Sequence, residues 1–254
     1  NGEDVGGTTV GASYTPNDNS YPLTIGSRWF SASYGLFQGQ IDDVRIWDNA
    51  LDGQQIQENM YNNLSGYEDG LVGYWDFNDG EGSTLTDLSG NGNHGTITGA
   101  TWSDDGAPVT QQPSPNHSLS FDGQDDYVQI ADSDELDGMD NLTVQLWVKF
   151  DSYNDYSNGS EGYNILSKSQ STEGIGYALY TAHDEQRMTF IVRTENGQRG
   201  ADLSDYEQHI SLNQWHLITG VYDGNNVIIY IDGVLMGESS QLTGSVISND
   251  YPIK

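Results

Sequence analysis

Apolar and polar positions alternate along much of this chain of 254 residues. The clearest run is "NLTVQLWVKF" at 141–150. Leu142, Val144, Leu146, Val148 and Phe150 fall on one side of it, and Thr143, Gln145, Trp147 and Lys149 on the other. A period of two is that of a strand with one buried face. "YNILSKS", "IGYALYTA" and "RMTFIVRT" follow at short spacing. "QWHLITGVYDGNNVIIYIDGVLMGE" predicts three strands joined by turns at Asp223-Gly224 and Asp232-Gly233, since such dipeptides adopt the positive φ angles that tight hairpins need. Upstream, "GLVGYWDF", "HGTITGATW", "SLSFDG" and "DYVQIA" predict further strands. Only "NALDGQQIQENMYNNL" has helical spacing, and it is short. The pattern predicts an all-β, antiparallel β-sandwich of about a dozen strands.

Composition sharpens this picture. There are 31 glycines, 16 tyrosines and 6 tryptophans, and a chain this rich in aromatics has the means to bury a core. Abundant Gly, Asn and Asp is turn chemistry, which favours many short strands over a few long helices. The 38 acidic residues against 8 basic ones leave a formal charge of −30. Nucleic acid is excluded as a partner, because phosphate binding needs a basic patch. The excess is mainly aspartate, a short carboxylate that suits calcium and its hard oxygen ligands; an acidic surface solvated by a salty medium is the competing reading. There is no cysteine, so neither a disulfide framework nor a cysteine metal site is open to the chain. No run of 18 apolar residues occurs, and no membrane insertion is expected. The first residues, "NGEDVGG", read as a piece or processed product of a longer protein.

The two ends resemble each other. "GEDVGGTTVGASYTPNDNSYPL" at 2–23 and "GESSQLTGSVISNDYPI" at 237–253 both open on Gly-Glu, pass through small polar residues and Asn-Asp, and close on Tyr-Pro and an aliphatic residue. The ordered match implies a unit of roughly 230 residues repeated in tandem. "GQIDDVRIWDNALDGQQI" at 39–56 then reads as the end of one unit, placed early in this chain.

Taken as a set, "GLVGYWDFNDGEGSTLTDLSGNGNHGTITGATW", "SLSFDGQDDYVQIADSDEL", "LTVQLWVK", "QWHLITGVYDGNNVIIYIDGVLMG" and "FQGQIDDVRIWDNAL" resemble the laminin G-like and pentraxin-like jelly rolls of the concanavalin A-like lectin/glucanase superfamily. The resemblance covers nearly the whole chain, in rotated order. It implies that residues 1–66 are the C-terminal part of one repeat and residues 67–254 the N-terminal and central part of the next. Residues 23–64 would complete the sheets of 70–253 in a circularly permuted sandwich. Exchange of those strands between chains, giving swapped dimers or a filament, is the other outcome.

Three groups of residues offer chemistry. In "DLSGNGNHG", Asp87, Ser89, Asn91 and Asn93 present side-chain oxygens at alternate positions around glycines, a spacing that wraps a hard cation. An Asn-Gly turn held by local hydrogen bonds is the alternative. The resemblance implies a structural calcium here, with Asp42 or Asp43 of the "IDDV" strand as partner, which would explain carboxylates in an apolar run. In "FDGQDDYVQI", Asp122, Asp125 and Asp126 crowd a turn between strands, as a second metal site or as a solvated acidic tip. By the pentraxin resemblance, Asn249 and Asp250 add to a ligand rim. Tyr153, Tyr156 and Tyr163 lie in "SYNDYSNGSEGYN", where exposed rings can stack on a sugar and loop packing is the alternative. The tryptophans Trp47, Trp75, Trp102, Trp147 and Trp215 sit in strand contexts and read as core or sheet-face residues.

Catalysis is not expected. The paired carboxylates of a glycosidase strand, Glu-x-Asp-x-x-Glu, are absent, as are the nucleophile-elbow, zinc-protease and phosphate-loop patterns. The expectation is a non-catalytic, calcium-binding module of a secreted or cell-surface bacterial protein that recognises a glycan or a cell-surface protein. A spacer repeat that associates only with other copies of itself is the alternative, and chelator-sensitive glycan binding would separate the two.

Overall fold

The computed structural model describes residues 22–27, 35–110, 116–153, 162–169, 175–182, 186–239 and 241–247. The strands are β1 (Leu23–Ile25), β2 (Gln38–Trp47), β3 (Leu71–Trp75), β4 (Thr84–Leu85), β5 (Gly95–Thr98), β6 (Thr101–Ser103), β7 (Ser118–Asp122) and β8 (Tyr127–Ile130). They continue as β9 (Leu142–Phe150), β10 (Asn164–Ser169), β11 (Ile175–Ala182), β12 (Arg187–Thr194), β13 (Gly197–Leu203), β14 (His216–Tyr222), β15 (Val227–Ile231) and β16 (Val234–Ser239). A single α-helix is described, α1 (Gly53–Asn59).

Two antiparallel sheets face each other. The first runs β13-β12-β11-β10-β1-β8-β5-β4, and the second β16-β15-β14-β9-β2-β7-β6 with β3 also on β2. The expected sandwich is therefore present, with sixteen strands among the described residues where about a dozen were read. The unread ones have a physical reason. β4 has two residues and β1 three, and β13, Gly-Gln-Arg-Gly-Ala-Asp-Leu, is an edge strand with little apolar alternation. "HGTITGATW" is not one strand. It breaks at Gly99 (φ +77°) into β5 and β6, which belong to different sheets.

The early residues take central places. β1 pairs with both β10 and β8, and β2 with β9, β7 and β3. Strand order in space thus departs from order along the chain. Both hairpin turns read from Asp-Gly are present. Asp232 and Gly233 have φ of +51° and +73° between β15 and β16. In the longer turn, Asp223 Oδ1 accepts the Asn225 and Asn226 N–H groups at 2.9 and 2.6 Å. Of the self-similar chain ends, residues 2–21, 240 and 248–253 lie outside the described residues; Leu23 falls in β1, and Gly237 and Glu238 fall in β16.

The main core fills the space between the sheets with Ile41, Val44, Trp75, Phe121, Leu146, Phe190, Ile218 and their neighbours. A second cluster lies outside the second sheet, where Trp47, Leu51, Ile56, Met60, Tyr74, Trp147 and Leu217 pack beneath α1. This corrects the half-buried reading of β9. Thr143, Gln145 and Trp147, on its polar side, are 0–2% exposed, because α1 and its flanking loops roof that face. The helix is short because its sequence limits it to a capped stub. Asp52 Oδ1 accepts the Gln55 N–H at 2.8 Å and Gln55 Oε1 accepts the Asp52 N–H at 2.9 Å, a capping box. Ile56 alone of its residues is buried.

Candidate functional site

Asp42 and Asp43 lie in the middle of β2, both fully buried. The pairing of β2 with β9 slips between Asp42 and Arg45, so that one extra residue is accommodated, and Asp43 takes φ +46°. Such a bulge re-aims side chains out of the alternating pattern. Asp42 accepts the Asp43 N–H and the Ala107 N–H, each at 2.7 Å. Asp43 is ion-paired with Arg45, itself 1% exposed. The guanidinium also donates to the carbonyls of Asn59 at 2.9 Å and Asn62 at 2.7 Å, and lies 5.8 Å from the Tyr74 ring centre. Burial pushes the Asp42 carboxyl well above its ordinary value, with the Asp43 charge adding and the two N–H donors opposing. Burial also raises Asp43, against the pull of Arg45. Of the two acids in the apolar strand, Asp43 is thus matched to a buried arginine that ties α1 to the sheet, and Asp42 to two backbone N–H groups.

Asp87 has different partners. Its Oδ1 accepts the N–H groups of Tyr74 at 3.1 Å and Ser89 at 2.9 Å, and its Oδ2 the N–H of Asn93 at 2.9 Å. Ser89 Oγ, Asn91 Nδ2 and Asn93 Nδ2 all turn to the Val72 carbonyl, at 3.2, 2.9 and 3.4 Å. Trp75 Nε1 donates to the Asn93 carbonyl at 2.9 Å. The loop is clasped onto β3 through donors and backbone amides. The local hydrogen bonds of the turn alternative are present, and none of them is shared with Asp42 or Asp43.

Asp122, Asp125 and Asp126 do come together. They occupy the crossing from β7 in the second sheet to β8 in the first, and one oxygen of each lies within 4.8 Å of the others. Asp126 is buried while Asp122 and Asp125 are exposed. Asp126 Oδ2 accepts the Asp122 N–H at 2.7 Å, and Asp122 Oδ1 the Gln124 N–H at 2.8 Å. A Cβ on Gly99 would stand 2.1 Å from Asp126 Oδ1, so glycine there is what lets the carboxylate approach. Burial raises the Asp126 carboxyl, and the charges of Asp122 and Asp125 add to the shift. Three hard oxygens that repel one another fit the donor chemistry of a calcium ion.

The tyrosines turn inward. Tyr163 belongs to the main core and packs its ring at 5.9 Å from Phe37. Tyr153 donates its hydroxyl to the Ile210 carbonyl at 2.6 Å and meets Tyr206 edge-on at 6.0 Å. Loop packing accounts for both, in place of the exposed stacking rings expected. Tyr156, Asn249 and Asp250 lie outside the described residues. Of the tryptophans, Trp75 and Trp147 are buried as expected, and Trp102 is half-buried with its indole on the Gly82 carbonyl at 3.0 Å.

A second buried cation went unread. Lys168, 0% exposed in β10, is ion-paired with Asp132 and, at 3.3 Å, with Asp137. Burial pushes the Asp137 carboxyl up to about 7, against the pull of Lys168 and with the Asp132 charge adding to the rise. The signal for both cations was present in the sequence. In a chain with only 8 basic residues, Arg45 and Lys168 stand inside apolar strand runs, a position that requires a nearby acid.

The comparisons with known proteins agree with this architecture. Residues 1–57 and 122–253 match the model of the Laminin_G_3 family, described as the Concanavalin A-like lectin/glucanases superfamily. Human pappalysin-1 is 22% identical over 146 residues, which is 55% of this chain and 9% of that protein. The chain therefore spans less than a tenth of the length of that relative. Laminin G-like domains are typically extracellular and non-catalytic, and among the described residues no helix is long and apolar enough to cross a membrane. With two facing antiparallel sheets and a family match across most of its length, the chain belongs to the Laminin_G_3 family of the concanavalin A-like lectin/glucanase superfamily.

Proposed function

We propose that this chain is a non-catalytic adhesion or carbohydrate-recognition module of a repetitive extracellular protein, and that it binds calcium through Asp122, Asp125 and Asp126. Membership of a lectin-like family and the likeness to part of pappalysin-1 support the module class. The carboxylate cluster is the observation that carries the calcium reading. Three aspartates converge within 4.8 Å where the chain passes between sheets, and their mutual repulsion opposes folding until a cation offsets it. Calcium bound there would brace the crossing and leave the outer face of the ion open to a ligand oxygen.

Thermal unfolding in millimolar calcium and in chelator tests this, with the mass followed by light scattering. A ligand that binds only the native state stabilises by about 4 kcal/mol at a thousandfold excess over Kd. The expected result is a clear upward shift that Asp125→Asn abolishes. An identical melting temperature in calcium and chelator would sink the calcium reading. A calcium-dependent increase in mass would favour a self-associating spacer over a ligand-binding monomer.

A further inference from the structure

Strand pairing places Lys168 among core residues. In the first sheet, Leu23 of β1 lies opposite Ile130 of β8 on one side and Lys168 of β10 on the other, and Lys168 lies opposite Tyr177 of β11. Residues opposite one another in antiparallel strands share a face. Ile130, Leu23 and Tyr177 are fully buried members of the main core, so the lysine enters the core from within the sheet. Its side chain is 0% exposed.

Two carboxyl groups meet it there. Asp132 Oδ1 stands 2.5 Å and Asp137 Oδ2 3.3 Å from Lys168 Nζ. Both acids come from the turn after β8, which buries Leu136 and whose Leu136 carbonyl accepts the Tyr177 hydroxyl at 3.3 Å. Amine and acids are thus held against each other by β10, β11 and an anchored turn. Asp137 keeps a proton up to near neutral pH, because burial pushes its carboxyl up to about 7 and a hydrogen bond to Asp132 adds to the rise. Burying the remaining pair of charges is costly. Transfer of the ammonium proton to Asp132 removes both charges and leaves an amine beside two carboxylic acids. A desolvated lysine amine is a nucleophile, and groups held in place react with effective molarities of about 10⁵–10⁸ M.

We propose that Lys168 and Asp132 condense into an intramolecular amide, with Asp137 shuttling the proton. Lys168 Nζ attacks Asp132 Cγ and the N–C bond forms. Asp137 gives its proton to the oxygen that becomes the leaving hydroxyl and takes one from Nζ. The C–O bond then breaks and one water departs. Amine and carboxylic acid become amide and water, Asp137 ends as it began, and no oxidant or co-reactant is consumed. Asp132 is 14% exposed, which gives the water a way out. The bond links the turn after β8 to β10 across β1, the three-residue strand that lies between them, and fixes that strand in place. A chain without cysteine has no disulfide to do so.

Mass spectrometry of the intact, denatured whole chain tests this. The expected mass is one water below the sequence mass, and a digest should contain the Asp132 and Lys168 peptides joined. Lys168→Arg and Asp132→Ala should each show their full sequence mass, and Asp132→Asn should lose one ammonia in place of one water. Asp137→Ala should leave most of the chain at full mass, and complete loss of water in that variant overturns the role given to Asp137. A parent chain at its full sequence mass overturns the bond and leaves Lys168 in an ion pair, a result that requires no variant to fold. A missing water that persists in Lys168→Arg, with no joined peptides, belongs to a succinimide at an Asp-Gly step and overturns the bond as well.

Discussion

Replacing Arg45 by methionine preserves much of the volume of the side chain and removes its charge. Asp43, fully buried, would then lose its ion pair with Arg45, and the Asn59 and Asn62 carbonyls would lose their guanidinium donors. Breaking a buried pair by deleting one partner costs about 3–5 kcal/mol, mostly as the uncompensated charge left behind. For a domain of this size that corresponds to a fall in melting temperature of about 6–20 °C. The loss must depend on pH. With Arg45 gone, the folded-state value of Asp43 rises further above its unfolded value of about 3.9. An acid raised in the fold favours folding at low pH and disfavours it as pH climbs through the raised value. Urea unfolding of Arg45→Met should therefore show its full deficit at pH 7.5 and a smaller one at pH 4.5. The double variant Asp43→Asn/Arg45→Met removes the buried charge that Arg45 offsets while keeping a residue that tolerates φ +46°, and should recover a large part of the loss. A deficit below about 1 kcal/mol at pH 7.5, or one equal at both pH values, would refute the reasoning.

Asp137 should give a related signature. Its raised value, about 7, means that the folded chain holds a proton the unfolded chain has released, so this group lowers stability as pH rises from about 4 to above 7. Asp137→Asn should gain on the parent chain progressively over pH 5–8 in denaturant titrations, and a gap constant with pH would count against the Asp132–Lys168–Asp137 assignment. Asp87→Ala strands the N–H groups of Tyr74, Ser89 and Asn93 and should cost roughly 2–6 kcal/mol, at about 1–3 kcal/mol for each of the two buried donors, those of Tyr74 and Asn93, left unmatched. Hydrogen exchange should show those amides losing protection while strands β10 to β13 keep theirs; unchanged exchange at Ser89 and Asn93 would contradict the clasp.

Much of the fold was legible along the chain. The alternation in 141–150, the Asp-Gly turns at 223–224 and 232–233, and the brief helical spacing after Asp52 are local patterns, and each corresponds to an element where it was expected. Local signals end at the limits of local interactions. Nothing near Thr143 or Gln145 in sequence marks them as buried, because α1, some ninety residues away, covers them. Nothing near Ser89, Asn91 and Asn93 in sequence shows that the Val72 carbonyl, from β3, takes a hydrogen bond from each of their side chains. Tyr153 and Tyr163 look exposed in a polar loop until Ile210 and Phe37 approach them.

The sequence by itself determined the strand class, the turns and the family, since these follow from periodicity, backbone preference and motif order. The tertiary structure alone decided which aspartates are bound to cations of the chain's own and which are left facing one another. A carboxylate's role is set by the charges and donors within a few ångströms of it. For Asp43 that partner lies two residues along the same strand, re-aimed by a bulge; for Asp137 it arrives from β10, thirty residues later; and for Asp122, Asp125 and Asp126 the nearest carboxylates are one another's.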